Sequence, residues 1–177
     1  MIFEKKRTFA ASDFHFLTIL GLESMRWGIY RSRNHSTGVV MKEPAIQFSN
    51  WVNWKEQRTL TGLDKPGLYM MGHGELLRGV ADPLDKQVVY IGETCNNTLQ
   101  GRWHQFHRSA IQGKNGHTAG TIYHETFGDD QSRLFVAALP IEIPDETTAA
   151  YFIRYVERKL VWEYLRKWGK APVCCRP

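Results

Sequence analysis

The 177 residues are 42% hydrophobic and 23% charged, with a formal net charge of +5 and a pI near 9.2. That size suits one domain with an extension, and the basic balance favours an anionic partner. No run approaches the roughly 18 apolar residues of a membrane span, the N-terminal MIFEKKRTFAASDFHF lacks a signal peptide's apolar stretch, and the three cysteines show no zinc-clip spacing, so a cytoplasmic protein without a membrane partner is expected.

In chain order, DFHFLTILGLESMRW (13–27) predicts a short helix capped by Ser12 or Asp13, with Phe14, Leu17 and Leu20 on one side. GIYRSRNHSTGVVM (28–41) predicts two extended pieces around a polar turn. After Pro44, IQFSNWVNWKEQR sets Phe48, Trp51 and Val52 at helical spacing and ends basic. Residues 1–62 are too few to bury a core alone and read as an N-terminal extension, with the domain proper over 63–177.

From Leu63 the pattern changes. LDKPGLYMM and QVVYIG predict two strands, paired antiparallel across the polar, turn-rich GHGELLRGVADPLDK. TLQGRWHQFHRSAIQG predicts a helix, with Leu99, Trp103, Phe106 and Ala110 on one stripe. A loop is expected at GKNGHTAG, and TIYHETFGDD carries no clear period. RLFVAALPIEI reads as a buried strand, ended by Pro144. Asp145 or Thr147 then caps the longest helix, which Gly169 stops.

On that last helix, Ile153, Leu160, Val161, Tyr164 and Trp168 fall within one arc about 100° wide, with Glu157 inside it. Arg154, Arg158, Lys159 and Arg166 point elsewhere, and Glu163 reads as a surface charge. A carboxylate on an apolar face is costly unless it is paired, protonated or metal-bound. Glu157 is therefore either half of a buried ion pair, or a metal ligand or catalytic acid. Arg102 edges the apolar stripe of its own helix, either as an ordinary flanking residue or as a guanidinium able to grip a phosphate. His104 and His107 lie on the same helix, as surface or structural groups or as proton carriers near that phosphate. Tyr69 and Tyr90 read as core aromatics, or as phenols acidified by neighbouring cations.

The pieces Gly67-Leu68-Tyr69 and Tyr90-Ile91-Gly92, with Arg102 on the following helix and Glu157 on the later one, resemble the GIY-YIG nuclease superfamily. A further Gly28-Ile29-Tyr30 is read as a chance match, since 59 residues part Tyr30 from Tyr90. The resemblance implies an α+β fold with a small three-stranded antiparallel sheet flanked by helices. It implies one Mg²⁺ (or Mn²⁺) held by Glu157, a water activated by Tyr69 or a neighbouring base, Tyr90 as phosphate or water ligand, and Arg102 as phosphate clamp. The family often carries His or Tyr four residues after the arginine. Phe106 stands there, which leaves that role to His104 or His107. An asparagine common after the glutamate helix is absent from APVCCRP, whose paired cysteines read as packing under the helix.

The function so implied is Mg²⁺-dependent hydrolysis of duplex DNA by a compact, restriction-type endonuclease. Lys55 and Arg58 of the extension, together with Arg102, would contact phosphates. Cutting both strands with one site per chain favours a homodimer. The alternative is a nucleic-acid-binding module on a catalytically degenerate scaffold of this kind.

Overall fold

The computed structural model describes residues 44–176. The helix expected over 13–27 and the extended pieces over 28–41 lie outside the described residues. What is described is α+β. A four-stranded antiparallel sheet, β1 (Val52–Asn53), β2 (Gly67–His73), β3 (Val88–Thr94) and β4 (Leu134–Pro140), carries three helices, α1 (Leu99–Ala110), α2 (Thr118–Phe127) and α3 (Glu146–Trp168). No helix among the described residues is long and apolar enough to cross a membrane.

The sheet order is β1-β4-β2-β3. β2 lies between two partners, and Leu68 to Met71 are completely buried because both its faces are covered. Alternation then sorts its side chains. Leu68 and Met70 join Ile91, Ile153, Val156 and Leu160 in a core under α3, while Tyr69 and Met71 join Trp103, Phe106 and Tyr123 under α1 and α2.

Two local expectations are corrected. IQFSNWVNWKEQR is not a helix: it pairs Val52 and Asn53 with Val136 and Phe135, then makes a 3-10 turn over Trp54–Thr59. Asn53 holds that edge by donating to the Ser132 carbonyl at 2.8 Å and by accepting from Lys55 N–H. The sheet thus has four strands, not three, and the added strand comes from residues assigned to the extension. Phe48, Trp51 and Trp54 are buried in the same two cores as the rest. The helical spacing of Phe48, Trp51 and Val52 arises because the first two fill the α3-side core and Val52 packs on the other.

The second correction is α2, where a loop running to Gly120 was expected. Thr118, Thr121 and Gly120 are weak helix formers. The helix forms because it packs on α1: a Cβ on Gly120 would sit 2.8 Å from Ser109 Cβ and 2.9 Å from the Phe106 carbonyl, so only glycine lets the two helices approach this closely. Elsewhere local signals hold. Thr98 caps α1, Asp145 caps α3 by accepting from Thr148 N–H at 2.7 Å, and Gly169 closes α3 in the left-handed region.

Candidate active site

The free edge of β3 is where the two sides of the sheet meet. A cleft of about 350 Å³ opens there, lined by Tyr90 of β3, Arg102 of α1, His117 and Thr118 at the start of α2, Glu157 of α3, and Cys175. The tail after α3 runs beside the edge strand: Cys174 N–H donates to the Val89 carbonyl at 2.8 Å, and Ile91 N–H reaches Cys175 Sγ at 3.5 Å. Cys174 is core and Cys175 is wall, with its thiol pushed up to about 11 by burial and therefore neutral. Cys174 thus packs on the α1 and α2 side rather than under α3, while Cys175 lies beside Glu157 and Tyr164 of α3.

Two glycines explain why the tyrosine tripeptides are built as they are. Gly67 pairs with Pro140, and a Cβ there would strike the Leu139 carbonyl of β4. At Gly92 a Cβ would meet the Tyr90 ring, lying 2.7 Å from its hydroxyl oxygen. Tyr90 therefore folds over Gly92, which is what turns its phenol into the cleft.

Tyr69, opposite Gly92 in the strand register, lies behind Tyr90 with the rings 5.8 Å apart and edge-on. It is completely buried and does not line the cleft. Its hydroxyl and His117 Nε2 are 3.1 Å apart. Gly120 N–H donates to His117 Nδ1 at 3.3 Å, so the neutral ring carries its proton on Nε2 and donates it to Tyr69. The Tyr69 hydroxyl is left to face Tyr90, where it favours the Tyr90 phenolate. Burial, then the neighbouring Tyr90, hold Tyr69 itself well above the ordinary phenol range. Burial pushes Tyr90 up to about 12, with Tyr69 and Arg102 opposing. Burial, then the positive charge of Arg102, push His117 down to about 4. The order His117, Tyr69, Tyr90 is a supported row of neutral donors ending in the cleft.

Arg102 is half-buried: its Nη1 donates to Gln105 Oε1 at 2.8 Å, and its guanidinium lies beside the Tyr69 hydroxyl, where it opposes the rise of that phenol's pKa. Its Nε is buried with no hydrogen-bond partner among the described residues. A buried donor left unsatisfied is costly, and the guanidinium charge beside it faces the cleft. Glu157 is half-buried, and among the described residues no cation lies within ion-pair distance of it. Burial first, then Glu93, raise its carboxyl above the usual range, with Arg158 opposing. Among the described residues, the buried ion pair that was one reading of Glu157 has no partner. On α3 the buried face is Ala149, Ile153, Val156, Leu160 and Tyr164, and Glu157 sits at its border rather than within it, which lets it reach past β3 to the cleft.

A half-buried carboxylate with no ion-pair partner among the described residues suits a hard divalent cation. The described residues hold no cluster of three or more metal-ligating side chains. A single carboxylate that leaves the other positions to water and phosphate oxygens is the way Mg²⁺ is commonly held.

Of the residues expected from sequence, the cleft brings together Tyr90, Arg102 and Glu157, with Tyr69 in support. It does not include His104 or His107. About 100° per residue places His104 some 200° and His107 some 140° around α1 from Arg102. His104 is exposed. His107 accepts from Trp54 Nε1 at 3.2 Å and stacks on that indole, a structural role, and burial lowers its pKa, followed by His104. The histidine of the cleft is His117, hidden in sequence within the Gly-rich GKNGHTAG. Its only local signal was its place just before a helix that the sequence did not reveal. Lys55 and Arg58 stand exposed on the 3-10 turn and do not line the cleft.

Comparison of the chain with protein families, with curated proteins and with solved structures found no match.

Proposed function

We propose that this protein is a Mg²⁺-dependent endonuclease of the GIY-YIG type that hydrolyses phosphodiester bonds in duplex DNA. The observation that carries this reading is the convergence of Tyr90, Arg102, His117 and Glu157, from four separate elements, on one cleft. Glu157 would hold the cation. When bound, the cation supplies Lewis acidity toward the phosphate and the departing 3′ oxygen. Arg102 lines the cleft, and its guanidinium charge opposes the negative charge that builds on the pentacoordinate phosphorus.

Tyr90, rather than Tyr69, is the phenol that meets the attacking water. Its high pKa keeps it protonated, and positive charge beside it moves it toward the phenolate that can take the water's proton. Tyr69 behind it and His117 on the cleft wall are positioning residues: Nε2–H of His117 fixes the Tyr69 hydroxyl, which in turn favours the Tyr90 phenolate. The tyrosine roles that the motif implies are therefore exchanged in this proposal.

The test is cleavage of supercoiled plasmids and a phage genomic DNA by the purified chain, in Mg²⁺ and in EDTA, beside Glu157→Gln. Discrete fragments that need Mg²⁺ and vanish in the variant support a sequence-specific nuclease, and a smear supports a nonspecific one. No cleavage of any duplex by the wild-type chain overturns the duplex-nuclease reading. Duplex binding without cleavage would instead identify a binding module on this scaffold.

A further inference from the structure

Three large aromatic side chains stand in solvent on the outer side of α3: Tyr151 at 70% exposure, Tyr155 at 54% and Trp162 at 58%. They are not scattered. At about 100° per residue all three fall within roughly 40°, directly opposite the buried stripe of Ile153, Val156 and Leu160. Arg158 and Arg166 are exposed about 20° to either side of that arc and Arg154 about 60° to one side, whereas Glu163, Glu157 and Glu146 lie about 80° or more away. Lys159 adds its charge at 6.0 Å over the Tyr155 ring. From Tyr151 to Trp162 the stripe runs about 16 Å.

We infer that this face of α3 binds unpaired nucleotides that flank the duplex in the cleft, an inference that rests on the nuclease reading above. The charge selects the occupant. Flat rings interleaved with guanidiniums and without carboxylates match a chain that alternates bases with phosphates. A second copy of this chain fits poorly, because a two-fold contact would press Arg154, Arg158 and Arg166 against their own counterparts. The stripe is also continuous with the site: Arg154 lines a smaller cleft of about 250 Å³ that it shares with Arg102, Gln105 and one carboxylate, Glu93, so that two guanidiniums flank the path against one acid. A strand leaving the scissile position along α3 meets Arg154 first and then the rings.

The experiment uses the full chain carrying Glu157→Gln, so that nothing is cut. Fluorescence anisotropy measures its binding to a labelled hairpin duplex, blunt or with a single-stranded oligothymidine extension. Trp162→Ala, the pair Tyr151→Ala with Tyr155→Ala, and Arg102→Ala are added to that background. The extended hairpin should bind more tightly than the blunt one, and each ring removed should weaken the extended hairpin about fivefold or more while blunt binding holds. These side chains are exposed, and circular dichroism will show the fold retained.

Extended and blunt hairpins bound alike, or ring variants that bind the extension as the parent does, overturn this inference. If blunt binding is nevertheless lost in Arg102→Ala, the nuclease reading stands without it. If the parent binds neither hairpin, both fall. Ring variants that release a dimer to monomer, or that lose binding to anionic vesicles, with hairpin binding unchanged, would assign the face to a second copy or to a membrane surface and overturn the inference equally.

Discussion

His117 gives the sharpest test of the site, because its chemistry and its burial make one quantitative statement. Its imidazole is 3% exposed and its pKa is pushed down to about 4 from an ordinary 6.5. The unfolded chain therefore takes up a proton at a pH where the folded chain does not. The stability this neutral ring contributes is intact above pH 6.5 and is lost as pH falls from 6.5 toward 4. Across the whole interval the difference amounts to about 3 kcal/mol, of which about 2 kcal/mol is gone by pH 5.

Other groups titrate over the same range: His73 and His107 act in the same direction and Glu157 in the opposite one. The quantity to measure is accordingly the difference between wild type and His117→Asn. Asparagine keeps the cap on α2, worth about 1 kcal/mol, and loses the titrating ring. Urea unfolding at pH 7.5, 6 and 5 should show wild type losing about 2 kcal/mol more than the variant on acidification. Parallel curves would refute the account of His117 as a desolvated neutral imidazole, and with it the tautomer on which the Tyr69 bond depends.

Tyr90→Phe should reduce single-turnover plasmid cleavage more than Tyr69→Phe; the reverse order would restore Tyr69 as the phenol that meets the water. Tyr69→Phe should instead lower the unfolding free energy by about 1–3 kcal/mol, since it leaves a buried His117 N–H without an acceptor. Gly92→Ala should displace the Tyr90 ring and cut the cleavage rate, as read by the same assay, while Gly67→Ala, which strikes the β4 backbone, should lower the thermal midpoint. Glu157→Gln should abolish Mg²⁺-dependent cleavage and raise the unfolding midpoint at pH 7.5, because the raised pKa marks a charge that folding disfavours. Arg102→Lys should cost about a hundredfold or more in kcat/KM while changing stability by less than about 1 kcal/mol.

Where neighbours along the chain decide the conformation, the amino acids alone were enough. Pro66-Gly67 opening β2, the polar loop before β3, the Thr98 and Asp145 caps and the Gly169 stop are short-range devices. The strand pairing of β2 with β3 and the helix bearing Glu157 follow from them and from hydrophobic period. Tyr90, Arg102 and Glu157, which the cleft brings together, each sit on such an element, and the resemblance singled them out there.

What contacts distant in sequence decide was not legible. Val52–Asn53 is a strand only because β4 has an edge to pair, and α2 is a helix only because Gly120 lets it close on Ser109 and Phe106. His117 enters the site through that packing, 48 residues from the Tyr69 hydroxyl it meets. The exchange of tyrosine roles proposed above has the same origin. Both carry the same phenol, and only the sheet and the helices over it determine that one is wholly desolvated while the other, folded across Gly92, lines the cleft at the β3 edge.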